Sequence, residues 1–169
     1  MKTVQTRSSS TRRVAQAVVL IALGVALAPF TSFPVGVAQI NPTQHFVNVI
    51  AAVLLGPGGA TGIAFVVGVI RNALGVGTLL AFPGGMIGAL LAGLAYRAFR
   101  NVYLGAAGEI LGTGVLGALL GAAIVAPVFM DSPVTLLAFV PSFIGSSVLG
   151  AALGVAALSI LRRSGVAGE

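Results

Sequence analysis

The sequence predicts an all-α integral membrane protein with six transmembrane helices and both termini on the cytoplasmic side. Three observations predict it: charge is scarce, the apolar runs are long, and the basic residues are confined to alternate connections. Of 169 residues, 57% are hydrophobic and 24 are glycine, 7% are charged, and mean hydropathy is +1.10. A water-soluble domain carries roughly a quarter of its residues charged, so the solvent for most of this chain is lipid. A bilayer core about 30 Å thick takes about 20 mainly apolar residues per spanning helix. Six segments, 14–31, 43–56, 58–76, 79–96, 103–127 and 134–161, meet or approach that length. They divide the chain into a basic cytoplasmic segment, 1–13, a transmembrane domain, 14–161, and a cytoplasmic tail, 162–169.

With the N-terminus inside and six spans, Lys2, Arg7, Arg12, Arg13, Arg97, Arg100, Arg162 and Arg163 all fall on the cytoplasmic side, as the positive-inside rule requires. Asp131 falls outside, and Arg71 alone breaks the pattern. Five or seven spans would place one terminal cluster on the wrong face. The basic head resembles the start of a signal peptide, but no small-x-small site followed by a hydrophilic chain comes after it, so the first helix reads as retained. The net charge of +6 sits in these flanks and suits anionic lipid headgroups of the bilayer rather than nucleic acid.

The first helix carries Ala15, Val19, Ala22 and Ala26 along one stripe and Ala17, Gly24 and Ala28 along a neighbouring one. Such a smooth face either packs internally or receives a partner helix. The second helix is short, carries His45 and Asn48 three residues apart on one face, and has Gln39, Asn41 and Gln44 just before them. Gly56-Pro57-Gly58-Gly59 then turns the chain. The third helix places Arg71 and Asn72 in its outer third, so both polar groups approach the same end of the bundle. Between the third and fourth helices, GVGTLLAFPGG (75–85) reads either as a mobile lid or as a plain helix-helix turn. The fifth helix has small-residue faces, Gly108 with Gly112 and Gly117 with Gly121, and a polar face, Glu109 with Thr113. On the sixth, Pro141 frees backbone carbonyls near Ser142, Phe143, Ser146 and Ser147.

Glu109 is the hardest of these to reconcile with lipid. It lies about 12 Å inside the nearer boundary at 1.5 Å rise per residue, where a lone carboxylate costs roughly 2.5–3.5 kcal/mol even on insertion scales. It must be paired, protonated or facing a wet cavity. The Arg71 and Glu109 backbones differ by about 10 Å along the bilayer normal, within the reach of the two side chains, so the expectation is an Arg71–Glu109 pair inside the bundle. Arg71 can alternatively extend its guanidinium to the outer interface.

Several chemistries lack their parts. The chain has no cysteine, one histidine and three acidic residues, which leaves neither a thiolate site nor a metal centre nor a paired acid, and no cofactor is implied. GPGGATG (56–62) superficially resembles a phosphate loop but lacks its lysine; the chain's sole lysine is Lys2. If the protein drives uptake, energy enters through another subunit or an ion gradient.

Three long runs, PTQHFVNVIAAVLLGP (42–57), RNALGVGTLLAFPGGMIGALLAG (71–93) and GEILGTGVLGA (108–118), resemble the ThiW family of substrate-binding S-components of energy-coupling factor transporters, and the similarity covers 14–161. The resemblance implies six helices, an outward-facing pocket and capture of the small molecule hydroxyethylthiazole, the thiazole precursor of thiamine. It also implies a transmembrane coupling subunit and two cytoplasmic ATPase subunits as partners, docked on the small residues Ala15, Ala22 and Ala26 of the first helix. The site expected for that ligand is His45, Asn48, Arg71, Asn72, Glu109 and Phe143. His45, Asn48 and Asn72 supply hydrogen bonds, Phe46, Phe82 or Phe143 stacks on the ring, and Arg71 holds Glu109. The rival reading is a stand-alone proton-coupled secondary transporter with Glu109 as its protonation site. A structural subunit that binds no ligand is the third.

Overall fold

The computed structural model describes residues 4–35, 38–130 and 136–164. Lys2, Asp131 and most of the 162–169 tail lie outside the described residues, as do the side chains of Arg7 and Gln39. The chain forms α1 (Val4–Ala26), the short α2 (Ala28–Thr31), a two-stranded hairpin β1 (Phe33–Val35) and β2 (Ala38–Ile40), α3 (Pro42–Ala73), α4 (Ala81–Phe99), α5 (Val102–Phe129) and α6 (Leu136–Arg163). The strands run antiparallel with Phe33 opposite Ile40.

α1 starts at Val4, ahead of the apolar run expected to begin at residue 14. Nothing between the two opposes a helix, because the first glycine is Gly24 and the first proline Pro29. The basic head is therefore helical from Val4 onward.

α3 holds two of the expected segments in one element. Gly56 interrupts it at φ 75°, ψ −177°, a left-handed conformation that glycine adopts at little cost, and Pro57 restarts the helix. The break is a reversal. Arg71 Nη1 donates to Gln44 Oε1 at 3.2 Å, whereas 27 residues of straight helix would hold those positions about 40 Å apart. The arms before and after Gly56 thus run side by side in opposite directions, matching the expected second and third segments. Gly56-Pro57 sits at one end of the bundle, and His45 and Arg71 sit at the other.

α3, α4, α5 and the Val140–Arg163 part of α6 are long and apolar enough to cross a membrane. α4 packs against both α3 and α5, and α6 closes on α3 and α5. The core between them contains Leu20, Val47, Ile50, Ile63, Val67, Ala89, Ala92 and Leu158. The outer surface is also apolar: Phe65, Leu90, Leu94, Leu153 and Ile160 all point outward. A water-soluble monomer rarely exposes contiguous apolar surface on that scale, but a bilayer solvates it.

The α4–α5 contact sets the geometry of the site. A Cβ on Gly112 would come within 2.7 Å of Gly88 Cα, and one on Gly88 within 2.7 Å of both Glu109 carboxylate oxygens. The glycine faces expected on the fifth helix are therefore packing faces, and the bare Gly88 backbone is what lets the Glu109 side chain lie against α4. α5 is not a regular α-helix past that point: Gly112–Gly117 and Gly121–Val125 wind as wider π turns. Such turns recur at functional sites, and here the first of them begins just before Thr113.

The basic residues collect at the Gly56 end. Arg13, Arg97 and Arg100 border one cleft there with Pro57 and Tyr96, and Arg100 and Arg162 border the next. Arg13 Nη2 donates to the Leu55 carbonyl at 3.1 Å, and Arg162 Nη2 to Tyr96 Oη at 3.4 Å.

Candidate functional site

The first turn of α3 orients the site. Asn41 caps the helix, its Oδ1 accepting from Gln44 N at 3.1 Å, while its own backbone N–H donates to Ser146 Oγ on α6 at 2.8 Å. Those bonds satisfy two donors a helix start would otherwise leave open, and they fix the rotation of the helix. Gln44, His45 and Asn48 are thereby buried in the bundle.

Glu109 is fully buried at the centre of the resulting cluster. His45 Nδ1 lies 2.7 Å from Glu109 Oε1. Asn48 Nδ2 donates to the same oxygen at 3.2 Å and to the Gly85 carbonyl at 2.9 Å, using both of its hydrogens. Thr113 Oγ1 stands 3.0 Å from Glu109 Oε1 and 2.9 Å from the Gly84 carbonyl, and its single hydrogen serves one of them at a time. Three helices, α3, α4 and α5, converge on one carboxylate, whose Oε2 has no hydrogen-bond partner.

Arg71 does not pair with Glu109. Its partners are neutral: Nη1 donates to Gln44 Oε1 at 3.2 Å and Nη2 approaches the Val76 carbonyl at 3.5 Å. At 3% exposure it does not extend to the interface either. The expected Arg71–Glu109 pair failed because axial height was the sole criterion: His45 is at a suitable height and on the facing side, so it takes the carboxylate. Two amides connect what the ion pair would have joined, since Gln44 Nε2 lies 3.5 Å from Asn48 Oδ1 and Asn48 reaches Glu109.

Asn72 serves the connection to α4. Its Nδ2 donates to the Gly68 carbonyl at 2.9 Å and to the Thr78 carbonyl at 3.2 Å, holding a loop that turns through Gly75 at φ 72°. This loop ends at Leu80, and the Pro83-Gly84-Gly85 run read as part of a possible lid is instead the first turn of α4.

Between these groups lies a small, partly open cavity of about 50 Å³, lined chiefly by Gln44, His45, Arg71, Thr113, Phe143 and Ser146. Thr78, Leu80 and Ala81 border it from the loop side, and Gly84 and Gly85 from α4. Of the residues expected to form a binding site, His45, Arg71 and Phe143 line the cavity, Asn48 and Glu109 stand behind that lining, and Asn72 is tied to the loop. The other two candidate aromatic rings are elsewhere. Phe82 packs on Phe65, ring centroids 6.0 Å apart, and Phe46 borders an apolar groove against α1. Gln44, Thr113 and Ser146 were absent from the expected site. The first two carry a legible signal, each four residues from a member of the set on the same helix face: Gln44 from Asn48 and Thr113 from Glu109.

The groups on the cavity wall suit a small, partly polar molecule with one flat face. Phe143 supplies an apolar ring, while an amide, a guanidinium, an imidazole and two hydroxyls supply hydrogen bonds, the usual composition of a small-molecule pocket.

The stripe of α1 points the other way. Ala15, Val19, Ala22 and Ala26 are exposed, whereas Leu20, Gly24 and Ala28 are buried; a Cβ on Gly24 would lie 3.0 Å from Val67. Ala15 and Val19 border the apolar groove that Phe46, Ile50, Leu54 and Ile160 complete.

Compared with known proteins, the chain matches the family model described as thiamine-precursor transporter protein (ThiW) over residues 14–164. No curated protein and no solved structure matches it significantly.

Proposed function

Since the chain belongs to the ThiW family of thiamine-precursor transporters, we propose that it is the substrate-capture component of an ATP-driven importer of the energy-coupling factor type, taking up hydroxyethylthiazole. It is a multi-pass membrane protein. In this reading it crosses the bilayer six times, with α1, the two arms of α3, α4, α5 and α6 as the spans. The end bearing Arg13, Arg97, Arg100 and Arg162 is cytoplasmic, and the cavity faces outward.

The observation that carries the reading is the convergence of His45, Asn48 and Thr113 on the buried Glu109 beside a cavity lined by Phe143. A carboxylate this deep in an apolar bundle is costly, and three side chains from two helices are committed to it beside the cavity. Phe143 stacks on the thiazole ring, and His45, Gln44 and Thr113 bind its heteroatoms and hydroxyl. Glu109 and Asn48 hold His45 and Thr113 in place rather than touching the ligand. The exposed stripe of Ala15, Ala22 and Ala26 supports docking of a transmembrane coupling subunit, with two ATPase subunits below it, because small side chains allow close helix approach in lipid.

Affinity purification from native membranes tests the reading against proton-coupled transport through Glu109. The expected result is a coupling protein and ATPases in the eluate, and their loss from Ala22→Leu with ligand affinity unchanged. Uptake by the isolated protein in liposomes, driven by a proton gradient alone, would overturn it.

A further inference from the structure

The proposed function calls for a neutral thiazole alcohol, yet the cavity contains a guanidinium that such a ligand does not need. Arg71 is 3% exposed. It lines the cavity, its Nε has no hydrogen-bond partner, and the two contacts it makes are with an amide oxygen and a backbone carbonyl. A guanidinium carries five N–H donors in a planar fork and remains charged in proteins. Two donors are engaged here, neither charge-assisted from the acceptor side.

Buried charges are ordinarily matched by an opposite charge. Among the described residues the one acidic side chain is Glu109, and it spends Oε1 on His45, Asn48 and Thr113 rather than on Arg71. The remaining polar side chains on the cavity wall, Asn41, Gln44, Thr78, Thr113 and Ser146, are uncharged. Among the described residues, the wall near Arg71 therefore presents surplus donors and no negative group.

Resting on the reading of this cavity as the thiazole site, we infer that the bound ligand carries an oxyanion, which Arg71 receives while Phe143 holds the ring. A phosphate monoester on the hydroxyethyl arm and a carboxylate on the ring both have that chemistry, and both match the planar fork of arginine. The transporter then selects the ionised form of the precursor over the free alcohol, and Arg71 is its specificity-determining residue.

Isothermal titration of the full-length purified protein with hydroxyethylthiazole, its phosphate monoester and a thiazole carboxylate tests this. One of the two anions is expected to bind at least about tenfold tighter than the alcohol, the scale of a charge-assisted hydrogen bond, and the better anion identifies the group. Arg71→Gln should bring anion and alcohol to within about twofold of each other, and Arg71→Lys should restore part of the preference. The wild-type comparison stands even if Arg71→Gln fails to fold. Equal binding of all three ligands to wild type would overturn the inference while leaving the proposed function intact. Failure of every thiazole to bind would overturn the proposed function and this inference together.

Discussion

The two ends of the bundle use charge in opposite ways. At the Gly56 end, Arg97, Arg100 and Arg162 are exposed, have no acidic partner among the described residues, and keep their charge in water. At the other end a smaller set, His45, Arg71 and Glu109, is buried at 6%, 3% and 0% exposure and held by the Gln44 and Asn48 amides and the Thr113 hydroxyl. An exposed arginine at a membrane boundary is nearly free of cost, so its presence argues for orientation and little else. A buried one demands partners supplied by the rest of the fold, which is why the second end is the candidate site.

That contrast predicts how substitutions should rank. Glu109→Ala removes the common acceptor of His45, Asn48 and Thr113 and should lower stability by about 3–5 kcal/mol, the scale for breaking a buried pair. Glu109→Gln, which keeps an oxygen at that position, should lose markedly less. Thermal unfolding in detergent measures both, and an Ala variant melting with wild type would mean that the cluster is not structurally coupled. Next comes Gly88→Ala, whose methyl group would meet Glu109 and Thr113. It should cost about 1–3 kcal/mol by overpacking in the same assay and weaken ligand binding with it. An Asn72→Ala change unties the loop from Thr78 and should cost about 1 kcal/mol, with its main effect on the rate of ligand release in stopped-flow measurements. Arg100→Gln and Arg162→Gln, at the exposed end, should shift stability by no more than about 0.5 kcal/mol. A shift as large as that of Gly88→Ala would erase the distinction between the two ends.

Much of the fold was legible in the sequence because lipid leaves few options. Hydropathy located the apolar runs, and Gly56-Pro57-Gly58-Gly59 marked the reversal inside α3, since clustered glycine and proline break a helix. The site was legible in part. Spacing of three put His45 and Asn48 on one face, and spacing of four put Glu109 with Thr113, and both pairs meet in the structure. What spacing does not give is the rotation of one helix against another. Axial height made Arg71 and Glu109 compatible, but rotation gave Glu109 to His45. Rotation also turned Phe46 toward α1 while Phe143 faces the cavity. The π turns after Leu111 add to the difficulty, because each wider turn shifts which residues of α5 face inward, and no composition signal marks them apart from glycine content.

The central claim is that the buried polar end binds a thiamine thiazole precursor, and equilibrium binding of the three thiazoles to wild type, His45→Ala and Arg162→Gln tests it most directly. The account predicts one ligand per chain, an affinity reduced at least about tenfold by His45→Ala, and no change with Arg162→Gln. Undiminished binding to His45→Ala together with a loss in Arg162→Gln would place the ligand at the basic end and contradict the account.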